Sequence, residues 1–169
     1  MQRLKIGEIL KSEAQNQSIM VFGWVRTFRS NRFIAVNDGS CLANLQAVVD
    51  FEKFDEAILK RITVGAAIQL EGNLTPSLGS GQNVELTVTK INILGDSDSS
   101  VYPLQPKKHS LEFLRQIAHL RFRTNTFSAI FRIRHHVAFA IHHFFHQRGF
   151  YYLHSPIITG SDAEGAGEM

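Results

Sequence analysis

Between residues 18 and 94 the chain reads as strands and turns, with one exception. That exception, "FEKFDEAILKRI" (51–62), restricts the fold more than any other feature of the chain. Before it, "SIMVFGWVRTF" (18–28) sets Ile19, Val21 and Val25 at period two, with Gly23 in place of a side chain. A glycine inside a strand marks a bend or a close backbone approach. "RFIAVNDGSCLANLQAVV" (32–49) then holds two apolar runs around "NDGS". Alternation marks strands with one buried face, and Asp-Gly between apolar runs marks a hairpin. Within 51–62 the period changes: Phe51, Phe54, Ile58, Leu59 and Ile62 fall on one helical face. After it, "AAIQLEG" (66–72) and "NVELTVTKINIL" (83–94) return to strand character, joined by "TPSLGSGQ". Val84, Leu86 and Val88 share one parity and Ile91 and Ile93 the other, which predicts a bulge near Lys90.

Three strands, a helix and two strands is the order of an OB-fold barrel. That fold binds single-stranded nucleic acid on its second and third strands and the adjoining loops. Phe33 and Gln46 lie on those two strands. An exposed phenylalanine can stack on a base, which is worth about 1–3 kcal/mol. A glutamine amide can donate to and accept from a base edge at once. By pattern alone, Phe33 reads rather as a core residue and Gln46 as an ordinary surface one, since a strand phenylalanine packs more often than it stacks. Arg26, Arg29 and Arg32 cluster nearby, as phosphate contacts or as a solvated loop.

The remainder of the chain changes character. "GDSDSSVYPLQPKKHS" (95–110) is a linker by composition, stiffened by Pro103 and Pro106. "SLEFLRQIAHL" (110–120) reads as a helix. "TNTFSAIFRIRHHVAFAIHHFFHQRG" (124–149) reads as a longer one, capped by Thr124, Asn125 or Thr126 and ended by Gly149. Phe127, Ile130, Phe131, Val137, Ala138, Ile141, Phe144 and Phe145 make an apolar stripe on it that needs a partner surface. "FYYLHSPIIT" (150–159) reads as a strand, with Pro156 at an edge or bend.

Charge follows the same division. Residues 1–100 carry 10 Lys/Arg against 11 Asp/Glu, and residues 101–169 carry 8 against 4. No apolar run is long enough for a membrane span. The single Cys41 excludes an intramolecular disulfide and a cysteine-based zinc site, which fits a reducing cytoplasm. His142 and His146 stand one helical turn apart, as zinc ligands can, but His143 occupies the place where an HExxH helix carries its Glu. They read as polar residues of a solvated face, and no metal site is expected. Glu164, in the loop "GSDAEGAGEM", could pair with a substrate ammonium or be an ordinary loop acid.

Several long stretches together are specific: "FGWVRTFR", "VNDGSCLANLQAVVD", "YPLQPKKHSLEFLRQIAHLR" and "HQRGFYYLHSPIITGSDAEGAGEM". Through them the whole chain resembles the N-terminal part of the asparaginyl-tRNA synthetases, a class II family. The last stretch looks like the first class II motif, with Gly149, Phe150 and Pro156 in place. The resemblance implies an all-β OB-fold barrel at 1–98 that binds the anticodon, a hinge at 99–110, and the start of an α+β catalytic domain with its antiparallel sheet at 111–169. Phe33 would stack on the central uridine and Gln46 would read its edge, with Arg26 and Glu85 as further anticodon contacts. The long helix and following strand would form a homodimer interface. Glu164 would hold the α-ammonium of asparagine under a mobile lid.

The family activates asparagine with ATP and Mg²⁺ and passes it to tRNA(Asn). The second and third class II motifs, which carry the ATP-binding arginines, are absent from these 169 residues. The chain alone is therefore expected to bind neither ATP nor Mg²⁺, to contain no catalytic residue and to be inactive. A further departure is Phe122, where the family usually has proline. The alternatives are a free-standing OB-fold module for tRNA or single strands, and an aspartyl- or lysyl-tRNA synthetase relative.

Overall fold

A computed structural model describes residues 3–13, 16–77, 79 and 81–158. The chain divides into two compact units, 1–129 and 130–169.

The first unit is built on five strands: β1 (Ser18–Arg29), β2 (Phe33–Asn37), β3 (Leu45–Val48), β4 (Ala67–Pro76) and β5 (Val84–Gly95). They close into a barrel in the order β1-β2-β3-β5-β4, with the ends β1 and β4 hydrogen-bonded to each other. All neighbours are antiparallel except β3 and β5. Closure removes the sheet edges and gives every alternating apolar residue one interior. Ile19, Val21, Val25, Ile34, Val36, Leu45, Ala47, Ile68, Leu70 and Leu86 are all fully buried there.

The parity switch in β5 is the expected bulge. Glu71 pairs with Lys90 and Gly72 with Val88, so Thr89 is the extra residue. Gly72 is needed opposite it, since a Cβ there would come within 2.1 Å of the Thr87 carbonyl oxygen. Gly23 is also a close approach: its Cβ would lie 2.6 Å from Val36 Cγ1.

Two local expectations are modified. The helical face of 51–62 breaks in two, a 3₁₀ turn at Phe51–Lys53 and the helix α2 at Glu56–Lys60. Asp55 is extended and its carboxylate accepts from the Ala57 N–H at 2.8 Å, so it starts a new helix. Phe51 is consequently 53% exposed, whereas Phe54, Ile58, Leu59 and Ile62 pack on the core. The "NDGS" hairpin exists, but its loop runs from 38 to 44. Asn37 Nδ2 closes it by donating to the Ala43 carbonyl at 2.8 Å. Asp38 and Ser40 face away, to a helix that the sequence reading did not contain, α1 (Ile6–Ile9). The Ile6 N–H donates to Asp38 Oδ2 at 2.9 Å and the Gly7 N–H to Ser40 Oγ at 2.8 Å. Ile6 and Ile9 thereby join the core. Burial pushes the Asp38 carboxyl up, but hydrogen bonds from the Ser40 hydroxyl and the Ile6 and Ser40 N–H groups outweigh it and hold it below the ordinary value.

The segment after β5 is ordered. Arg61 makes a two-point ion pair with Asp96 at 2.7 and 2.8 Å, Thr63 Oγ1 donates to the Ser97 carbonyl, and Leu104 is buried. Helix α3 (Leu111–Gln116) is capped by Ser110, whose hydroxyl accepts from the Phe113 N–H at 3.2 Å.

Helix α4 (Asn125–His146) begins in the first unit, and its residues 130–146 make up most of the described part of the second. Thr124 Oγ1 accepts from the Phe127 N–H, and Gly149 closes the far end at φ +81°. No residue of α4 is buried. The strand expected at 150–159 is a correction: 151–156 pair with nothing in a sheet among the described residues. A strand exists only through a neighbour's backbone, and Pro156 removes one donor besides.

Candidate nucleic-acid interface

The outer face of β2, β3 and β5 carries three of the residues singled out in the sequence. Side chains on β2 alternate between the barrel interior, at Ile34 and Val36, and the outside, at Phe33 and Ala35. Phe33 is half-buried and pairs with Val48 across the strands, while Ala35 pairs with Gln46. Phe33 and Gln46 are thus diagonal neighbours on one surface, within reach of each other's long side chains. The core reading of Phe33 does not hold, because it faces away from the closed interior. The Arg32 guanidinium sits over its ring at 5.6 Å. Arg29 is its cross-strand partner on β1. Between them, Ser30 and Asn31 adopt left-handed conformations at φ 53° and 50°, which tightens the turn.

Gln46 and Glu85 meet directly. Gln46 Nε2 donates to Glu85 Oε2 at 3.2 Å, and Ser77 Oγ donates to the same carboxylate oxygen at 3.2 Å. Gln82 Oε1 accepts from the Gln46 N–H at 3.4 Å. Glu85 engages one of the two Nε2 hydrogens, which leaves Gln46 its carbonyl oxygen as an acceptor and its second N–H as a donor for a ligand edge. Ser77 and Gln82 were missed in the sequence. Both lie in "TPSLGSGQ" (75–82), and the β4–β5 and β3–β5 pairings bring them beside Gln46 and Glu85.

Arg26 is not part of this patch. Its guanidinium donates to the Arg123 carbonyl and, at 3.4 Å, to Asn125 Oδ1. Burial lowers its pKa from the ordinary value; Tyr102 opposes that shift and Arg123 adds to it. The arginine cluster at 26, 29 and 32 is therefore split, with Arg29 and Arg32 at the β1–β2 turn and Arg26 elsewhere.

In the second unit, Gly149 ends α4 and Phe150 packs edge-on against Phe145 at 5.5 Å. Pro156 is exposed. His142 contacts the Tyr152 ring, and no group of three or more His, Cys, Asp or Glu that could hold a metal occurs among the described residues. No residue is assigned to Mg²⁺. Glu164 lies outside the described residues.

Comparison with known proteins adds two family matches. The family described as an OB-fold nucleic acid binding domain matches residues 19–94, which is the barrel. That described as tRNA synthetases class II (D, K and N) matches 110–169. The asparagine–tRNA ligase of Parabacteroides distasonis is 58% identical over 170 residues, covering 99% of this chain and 36% of the relative. That of Porphyromonas gingivalis W83 is 54% identical over 172 residues, covering 100% and 37%. Over nearly its whole length the chain is similar to asparagine–tRNA ligases. It spans little more than a third of the length of these relatives. Among solved structures, asparaginyl-tRNA synthetase from Pyrococcus horikoshii, complexed with asparaginyl-adenylate, superposes with a TM-score of 0.81 at 21% identity, covering 98% of this chain and 39% of that one. The Entamoeba histolytica enzyme gives 0.77 at 18%, covering 94% and 38%. At such identities the likeness speaks for the fold: an OB barrel followed by the start of a class II synthetase domain.

Proposed function

We propose that this chain is the anticodon-binding and leading catalytic-domain portion of an enzyme that activates asparagine with ATP and Mg²⁺ and transfers it to tRNA(Asn) in the cytoplasm. The observation that carries the reading is the patch on the barrel's outer face. Phe33 offers a ring for stacking. Gln46 offers a carbonyl oxygen oriented by Glu85, which suits the N3–H of a uracil edge. Arg29 and Arg32 supply positive charge beside them for phosphates.

The barrel through residue 98 reads the anticodon, 99–110 is the hinge, and 111–169 begins the catalytic domain. The apolar stripe of α4, with Gly149, Phe150 and Pro156 after it, forms the homodimer interface. Glu164 holds the α-ammonium of asparagine. The residues that bind ATP lie outside this chain.

Two measurements test the reading. Fluorescence anisotropy with an asparagine-tRNA anticodon stem-loop is expected to show binding that Phe33→Ala weakens by about 1–3 kcal/mol. A loss of less than twofold would sink the stacking role. Asparagine-dependent ATP–pyrophosphate exchange is expected to be absent from the 169-residue chain, and robust exchange would place the ATP site within it.

A further inference from the structure

The guanidinium of Arg32 stands over the Phe33 ring, but it does not close on it. Its central carbon is 5.6 Å from the ring centroid. Where an arginine of this chain stacks fully on a phenylalanine, at Arg148 and Phe144, the distance is 3.5 Å. A flat base held between two flat groups needs two van der Waals layers of about 3.5 Å, or roughly 7 Å from ring to guanidinium. The gap at Phe33 lies between the closed stack and the filled one. A small swing of one side chain would admit a base.

The root of that side chain is fixed and its tip is not. The Arg32 N–H donates to the Arg29 carbonyl at 3.0 Å, and the Arg32 carbonyl accepts from the N–H of buried Val49 at 2.7 Å. Ser30 and Asn31, at φ 53° and 50°, shape the turn that sets Arg32 at the start of β2. The side chain itself is exposed and makes no ion pair among the described residues. Asp50, which follows Val49, is engaged instead by Lys53 at 2.9 Å. The guanidinium is thus tethered beside the ring and free to rise from it.

We propose that Phe33 and Arg32 form a two-sided clamp for one unpaired base, in which Arg32 stacks on the base in addition to bringing charge. The clamp rests on the anticodon reading above and takes the central anticodon base as its occupant. An exposed cation–π contact is worth less than a base stack, so the base displaces the guanidinium from the ring. The displaced guanidinium then covers the other face of the base, since its plane stacks on splayed RNA bases as an aromatic ring does. An ammonium carries the same charge without the plane, which makes lysine the informative replacement.

Fluorescence anisotropy with the full 169-residue chain and two probes tests the clamp. One probe is the asparagine-tRNA anticodon stem-loop, and the other is the same stem-loop without its central anticodon base. Arg32→Lys replaces one exposed cation by another, so the fold is kept. It is expected to weaken binding of the intact stem-loop about fivefold, and of the abasic one by less than about twofold. An equal loss with both probes would mark a phosphate contact and overturn the clamp. So would an intact stem-loop held as tightly by Arg32→Lys as by the wild type. Either result leaves the anticodon reading standing, provided that the wild-type chain prefers the intact stem-loop to the abasic one. A wild-type chain that binds both alike, or neither, defeats that reading and the clamp with it.

Discussion

The barrel and helix α4 are both rich in large apolar side chains, and they treat them in opposite ways. In the barrel, Ile19, Val21, Ile34, Val36, Leu45 and Leu70 turn inward and lose all contact with water. On α4, Val137, Phe139 and Ile141 remain 52%, 65% and 54% exposed, and Val137, Ala140, Ile141, Phe144 and Phe145 line a shallow apolar groove. The difference is topological. A five-stranded sheet that closes on itself supplies both sides of its own core. A single helix has one apolar stripe and no second layer, so burial must come from another surface.

The largest expected effect lies in the barrel. Leu70→Ala removes a fully buried side chain from a closed interior and is expected to cost about 2–5 kcal/mol, read by urea unfolding followed at Trp24. A cost below about 1 kcal/mol would mean that the interior is not tightly packed, and the contrast with α4 would collapse.

Acid should act more mildly, and on the barrel. The Asp38 carboxyl is held below its ordinary value, so it contributes stability above the unfolded pKa of about 3.9. That contribution is lost as the pH falls through the lower folded value. The urea midpoint should therefore drop on acidification through the carboxylate range, and Asp38→Asn should flatten this dependence. An unchanged slope in the variant would show that α1 does not rely on the charged carboxylate.

The smallest effect is expected on α4. Ile141→Ala should change the stability of the monomeric chain by no more than about 0.5 kcal/mol, because its side chain is exposed in the chain by itself. A larger cost at micromolar concentration, fading on dilution, would reveal a second copy covering the stripe. That outcome would sharpen the comparison in favour of the proposed dimer.

Much of the fold was legible because it depends on near neighbours. Strand parity, the Thr89 bulge beside Lys90, the cap at Thr124, one of three candidates, and the stop at Gly149 each follow from a handful of adjacent residues. Helix α1 escaped notice: at four residues it is too short for a period to show, and its N–H groups are met by Asp38 and Ser40, more than thirty positions away. The candidate site was half legible. Phe33 and Gln46 could be placed on one face from the order of strands, but their orienting partners Ser77 and Gln82 could not, because the β4–β5 loop reaches β3 only when the barrel closes.

The sequence by itself determined which residues alternate, where the long helix α4 ends and, through long specific stretches, a resemblance to the asparaginyl-tRNA synthetases. Those properties are local or cumulative, and each residue contributes to them without knowing its distant partner. Tertiary structure alone decided the destination of Arg26, which leaves its cluster for a carbonyl 97 positions along the chain. It also decided that residues 151–156 form no strand, since a ladder is a property of two segments and one cannot pair alone.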